Sequence, residues 1–210
     1  MQELINRHHQ SQKLVARNVV AELVGLWEML DFHDLQGTTA DWLKATRPVL
    51  ERGYLVSRYV AAEFVNQYRS TVLPISEPLI VLPNPLGIFV APEVDPDVSV
   101  RMMVSMKVTG PVHVAKLMPM DETEAMRAGL SKSSGAAIRL VLNGGRGMVR
   151  LLADVDEHAV GVAGVADETA CDSCQFLTTP ILKREGARKM DAVAVGHDFC
   201  QCSARLVYGI

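Results

Sequence analysis

Six of the ten prolines stand between positions 74 and 96, at Pro74, Pro78, Pro83, Pro85, Pro92 and Pro96. Proline lacks an amide donor and clashes with the preceding turn, so neither a continuous helix nor a central strand can cross this stretch. The chain is thereby divided in two. The stretch is no solvated linker, because it also carries Leu79, Ile80, Val81, Leu86, Ile88, Phe89 and Val90. A proline-rich extended arm over 71–97 is expected, lying across the protein's own apolar surface in preference to a neighbouring subunit's, since exposed patches of that size are rare on monomers.

Before the arm the pattern is helical. Apolar residues at Ala16, Val19, Val20, Leu23, Leu26, Trp27 and Leu30 share one helical face. Gly37, Thr38 and Thr39 make the expected break, and Leu43, Leu50, Tyr54, Ser57, Ala61, Phe64 and Tyr68 form a heptad-like seam after it. Pro48 should kink this second helix or delay its start. An antiparallel helical hairpin over 1–70 follows. Its eight basic and eight acidic residues cancel, so its polar face suits solvent better than a polyanion.

After the arm, Val98, Val100, Met102, Val104, Met106 and Val108 alternate as in a half-buried strand, although a helix over 97–107 fits as well. Thr109, Gly110 and Pro111 end it either way. Asp121 and Glu124 resemble a capping box opening a short helix to Leu130. Ser133 or Ser134 caps the next helix, Gly144 and Gly145 stop it, and a last one covers 146–157. Residues 98–158 are thus a mostly helical middle region, and 159–166 is a strand leading into a C-terminal module over 159–210. The fold class expected is mainly α, of α+β type.

All four cysteines fall in that module. Cys171-Asp-Ser-Cys174 is followed by His197-Asp-Phe-Cys200-Gln-Cys202. Two close pairs of soft donors joined by a loop match a structural zinc site, one ion per chain, in which thiolates and imidazole complete a tetrahedron. Five candidates compete for four positions: Cys171, Cys174 and Cys200 with either His197 or Cys202, and His197 is slightly preferred because a His-x-x-Cys pair spans a metal on one turn. Disulfides remain open for a protein that leaves the cell. A thioredoxin-like redox pair would need a βαβ setting that is absent from the pattern.

Little else suggests chemistry. Lys183, Arg184, Arg188 and Lys189 cluster between the ligand pairs, but residues 171–210 net only one positive charge, which favours a solvated loop over a phosphate contact. Gly144-Gly145-Arg146-Gly147 lacks the lysine of a phosphate-binding loop. His8, His9, His33, His113 and His158 stand in no nucleophile motif. The formal charge of −3 gives no net basic field for nucleic acid or anionic membranes. The N-terminus lacks the layout of a signal peptide, and the longest uncharged stretch, 78–92, is too short and too proline-rich for a membrane span.

From Val141 onward the motifs resemble a family. Val141-Leu-Asn-Gly-Gly-Arg146, then Asp156, the Ala159-Val-Gly-Val162 strand, Asp167-Glu-Thr-Ala-Cys171-Asp-Ser-Cys174-Gln-Phe-Leu177, and Gly196-His-Asp-Phe-Cys200-Gln-Cys202 before Val207-Tyr208 resemble the MuF-like minor capsid proteins of tailed phages, especially those of actinobacteria. The resemblance covers about the last 70 residues. The hairpin's end, Ala61-Ala-Glu-Phe-Val-Asn-Gln-Tyr-Arg69, looks like the family's helical start. It implies a structural head-morphogenesis protein made in the host cytoplasm, bound to portal or major capsid protein, and packaged in the virion beside DNA, with at most weak local DNA contacts. The family's frequent label of capsid maturation protease finds no catalytic motif here; a zinc-stabilised DNA-binding module is a third reading.

Overall fold

The computed structural model describes residues 1–75, 77–80, 93–166 and 170–209. The fold is mainly helical with a small three-stranded sheet. Three long helices form its frame: α1 (Gln2–Trp27), α2 (Leu35–Val72) and, after the short α3 (Pro96–Thr109) and α4 (Pro111–Lys116), α5 (Glu122–Val155). The sheet comprises β1 (Ala159–Val165), β2 (Ile181–Leu182) and β3 (Ser203–Tyr208), with α6 (Asp172–Phe176) and α7 (Ala187–Ala194) in its connections. β1 is central and antiparallel to both neighbours, with Val162 opposite Ile181 on one side and Leu206 on the other.

Two apolar clusters sit at opposite ends of this frame. The first joins Leu23, Trp27, Trp42 and Leu50 of the hairpin to Met102, Met106 and Val141. The second joins Phe64, Val65 and Tyr68 to Val149 and Leu152 of α5, the sheet residues Val162 and Leu206, and Met190 and Val193 of α7. Because α1, α2 and α5 run through both, the sheet end is built onto the helices. No helix among the described residues is long and apolar enough to cross a membrane.

The hairpin forms, but its break lies earlier than Gly37–Thr39. Asp34 caps α2 by accepting a bond from the Gly37 amide at 2.9 Å, and that carboxylate occupies the space a Cβ on Gly37 would need. An aspartate cap satisfies a helix start better than threonine, and Thr38 instead bonds the Asp34 carbonyl. Pro48 neither ends nor delays α2; it lies inside it, between turns whose Trp42 and Leu50 are fully buried. Their burial outweighs the roughly 3 kcal/mol an interior proline costs.

Residues 98–108 form a helix, not a strand. Pro96 takes the first helical position, where no amide partner is needed, and Asp95 caps it through the Asp97 amide. The alternation that suggests a strand splits on a helix into two opposite stripes: Met102 and Met106 are buried, while Val100, Val104 and Val108 face outward.

The three short helices expected over 121–157 are one helix. Asp121 caps it as expected, through the Glu124 amide at 3.2 Å. Gly144 and Gly145 do not stop it, since they are contact points. A Cβ on Gly144 would lie 2.5 Å from the Tyr54 carbonyl oxygen, and one on Gly145 would lie 2.7 Å from both Gln12 and Ser57. The missing side chains let α5 press against both hairpin helices. There Gln12 donates to the Ser57 carbonyl, the Ser57 hydroxyl donates to Gln12, and the Gly145 amide donates to the Ser57 hydroxyl, all buried.

The arm falls mostly on residues 81–92, outside those described. Its first part packs on the protein's own second cluster: Leu79 and Ile80 lie against it, and the Asn66 side chain both donates to and accepts from the Ile80 backbone. The two ends of the expected 71–97 range belong to α2 and α3.

Candidate metal centre

Cys171 stands at the start of α6, whose first turn carries Cys174 inward; the Gln175 amide bonds the Cys171 carbonyl. The second ligand strand follows α7 as a tight turn, in which the Cys200 amide bonds the His197 carbonyl at 3.0 Å. Phe199 within that turn has φ of 64°, the left-handed region that costs a side-chain-bearing residue about 1 kcal/mol or more. Its position on α5 holds it there: the Phe199 amide donates to the Gly135 carbonyl, and the ring lies where a Cβ on Gly135 would stand.

The fold brings all five candidate ligands together. Cys171, Cys174 and His197 form one triad whose donor atoms lie within 4.8 Å of one another, and Cys174, Cys200 and Cys202 form a second. Cys174 belongs to both. His197 Nε2 lies 3.0 Å from Cys171 Sγ and 3.5 Å from Cys174 Sγ, and Cys174 Sγ lies 3.4 Å from Cys200 Sγ. The four thiols are free, so no disulfide links them. The cluster could bind a metal ion.

His197 is oriented for that role. Its Nδ1 lies 2.8 Å from the Asp198 carbonyl oxygen, which can only accept, so Nδ1 carries the hydrogen and Nε2 turns its lone pair toward the thiols. The same bond, with the Cys171 thiol second, raises the histidine's pKa above its ordinary value. The Asp198 carboxylate is engaged elsewhere, accepting from Arg139 Nε at 2.7 Å, so the two side chains form no acid–base pair.

Burial and charge set the thiols apart. Burial pushes Cys174 up to about 12. A hydrogen bond from Cys202 brings Cys200 down to about 4, with the Arg146 guanidinium helping, and the same bond raises Cys202. Cys171 is lowered, chiefly by the Cys174 amide.

The residues that hold this loop lie on α5. Gly135, Arg139, Asn143 and Arg146 follow one another at steps of four, four and three, a single helical face. Asn143 Oδ1 accepts from the Gly196 amide at 3.0 Å and from Arg146 Nη1 at 2.6 Å. Arg146, 3% exposed, donates to the carbonyls of Cys202 at 2.9 Å and Cys200 at 3.1 Å and lies 3.4 Å from Cys200 Sγ. Sequence spacing missed this stripe, because Gly144-Gly145-Arg146 looked like punctuation. A continuous helix through 135–146 was the signal that would have found it.

Of the other candidates, His9 lines a cavity beside Cys171, Cys174, His197, Cys200 and Cys202. Two of the four basic residues are engaged, Lys183 with the Asp156 carbonyl and Lys189 with Glu185. Asp156 is itself a buried anchor of the module: its carboxylate accepts from Arg69 at 3.2 Å, from the Tyr208 hydroxyl at 2.9 Å and from the His158 amide at 3.0 Å. His8 and His9 are buried in the frame, His8 stacked on Phe64. Residues 167–169 of the family-like motif lie outside the described residues. No protein-family model, curated protein or solved structure matches this chain.

Proposed function

We propose that this chain is a non-catalytic structural protein of the MuF-like minor capsid type, with its C-terminal module clamped by one zinc ion. The observation that carries the reading is the pair of donor triads, Cys171–Cys174–His197 and Cys174–Cys200–Cys202, that share Cys174 beside the buried Arg146. Zinc–sulfur bonds of about 2.3 Å in a tetrahedron place sulfurs roughly 3.8 Å apart. The 3.4 Å between Cys174 and Cys200 needs only a small adjustment to reach that. A divalent ion with three thiolates and one neutral imidazole carries a single net negative charge, which the Arg146 guanidinium offsets in this buried setting. That balance favours His197 over Cys202 as the fourth ligand; Cys202 then lies beside the site, supporting Cys200.

Four protein donors leave no position for a reacting water, so the ion's work is folding. It joins α6 to the turn before β3, and through Arg146 and Asn143 it joins both to α5.

The place of such a protein is the phage head, near the portal or the inner capsid surface. Support for this comes from the family-like motifs around the cysteines and from a C-terminal module locked onto a long helical frame. Quantitative mass spectrometry of purified particles of the encoding phage tests it. The chain should be retained in mature heads and co-purify with portal or major capsid protein; heads containing none of it would overturn the assignment.

A further inference from the structure

The third helix is apolar on both sides, and among the described residues only one side has a partner. Met102 and Met106 are 1% and 0% exposed, packed in the first core cluster, whereas Val100, Val104 and Val108 are 57%, 57% and 50% exposed. Steps of four place those valines on three successive turns of one face. Isolated surface valines are ordinary, but three on successive turns of one face make a continuous apolar stripe of the kind another element covers.

The charges around the stripe point to what covers it. Glu93, Asp95 and Asp97 are exposed at the start of α3, and Arg101 and Lys107 are exposed farther along. The stripe is therefore acidic at one end and basic toward the other. A second α3 laid antiparallel on it brings the acidic end of each helix to the basic half of its mate and opposes the two helix dipoles. With Val100 facing the partner copy's Val104, Asp97 stands opposite Lys107 at both ends. A self-complementary surface of this kind makes an isologous twofold contact.

We propose that the outward face of α3, the Val100, Val104 and Val108 stripe between Asp97 and Lys107, is the contact through which two copies of this chain pair. The contact is independent of the zinc site and of the place in the phage head. Three valines make a small interface, so the association belongs to the weak, transient end of specific contacts.

Sedimentation equilibrium from about 1 micromolar to 1 millimolar tests it, with helicity checked by circular dichroism for every variant. The parent protein should pass from monomer to dimer, and Val104→Glu, at a site more than half exposed among the described residues, should remain monomeric. Asp97→Lys and Lys107→Asp should each weaken pairing about tenfold, and the two together should restore it to within about threefold of the parent, because the opposed charges are exchanged. A protein that stays monomeric throughout, a dimer indifferent to Val104→Glu, or a double variant no better than either single one would overturn the proposal. Should Val104→Glu lose its helicity, the charge exchange decides alone.

Discussion

Replacing Arg146 by methionine separates a designed anchor from a passive neighbour. Methionine keeps the stem's volume among the residues that bury it to 3% exposure, so the change removes mainly the guanidinium. Two main-chain acceptors, the carbonyls of Cys200 and Cys202, then lose a charged donor at 3.1 and 2.9 Å, and Asn143 loses one at 2.6 Å. A buried acceptor left unpaired costs about 1–3 kcal/mol, and relief of the guanidinium's own desolvation offsets part of that, so the net loss should be about 3 kcal/mol. For a chain of this size that lowers the melting temperature by roughly 6–12 °C. Urea unfolding of metal-loaded protein, followed by circular dichroism, gives the free energy, and competition with a chromogenic chelator gives the metal affinity. Arg146→Lys keeps the charge without the fork and should fall between the two. A methionine variant within about 1 kcal/mol of the parent, with unchanged metal affinity, would refute the role assigned to this residue.

Three further outcomes follow from the packing. Gly144→Val should cost about 3 kcal/mol in thermal unfolding, because its side chain meets the Tyr54 backbone carbonyl of α2 first. Asp156→Ala leaves Arg69, largely buried, without its carboxylate and should cost about 3–5 kcal/mol, with the loss seen first as faster hydrogen exchange in β3. His8 is held down to about 3 in the folded state, by burial first and by His9 second, against an ordinary value of 6.5. The unfolded chain therefore binds the extra proton, and stability falls as the pH drops below about 6.5, by about 1 kcal/mol at pH 5.5 and about 3 kcal/mol at pH 4.5, levelling off below about 3. His8→Gln should remove that part of the slope; an unchanged difference between pH 7 and pH 4.5 in urea midpoints would contradict it.

Where the sequence and the structure agree, the pattern involved is local or chemically restrictive. Thiol and imidazole donors at fixed spacings have few uses, so spacing alone groups Cys171, Cys174, His197, Cys200 and Cys202. The helical face of α2 from Leu50 to Tyr68 was legible for a similar reason, since a long period leaves little ambiguity. Several of the differences come from tertiary contact that overrides a local signal, and others from local ambiguity. Gly144 and Gly145 look like a stop until another helix needs the space of their side chains. The valines and methionines of α3 look like a strand because both of its faces are apolar, and a period of two cannot be distinguished from two stripes of period four. Arg146 is invisible in the sequence as a support for the thiols because its partners lie more than fifty residues away, across a helix that local signals divide in three.

The zinc ion proposed for the C-terminal cluster is open to a direct test. X-ray absorption at the zinc edge, on protein purified without added metal and quantified for bound metals, tests it directly. One zinc per chain with three sulfurs at about 2.3 Å and one nitrogen at about 2.0 Å is predicted, and chelation should unfold the module of β1 to β3. A folded protein that carries no metal, or that has its four cysteines joined in two disulfides, would contradict it.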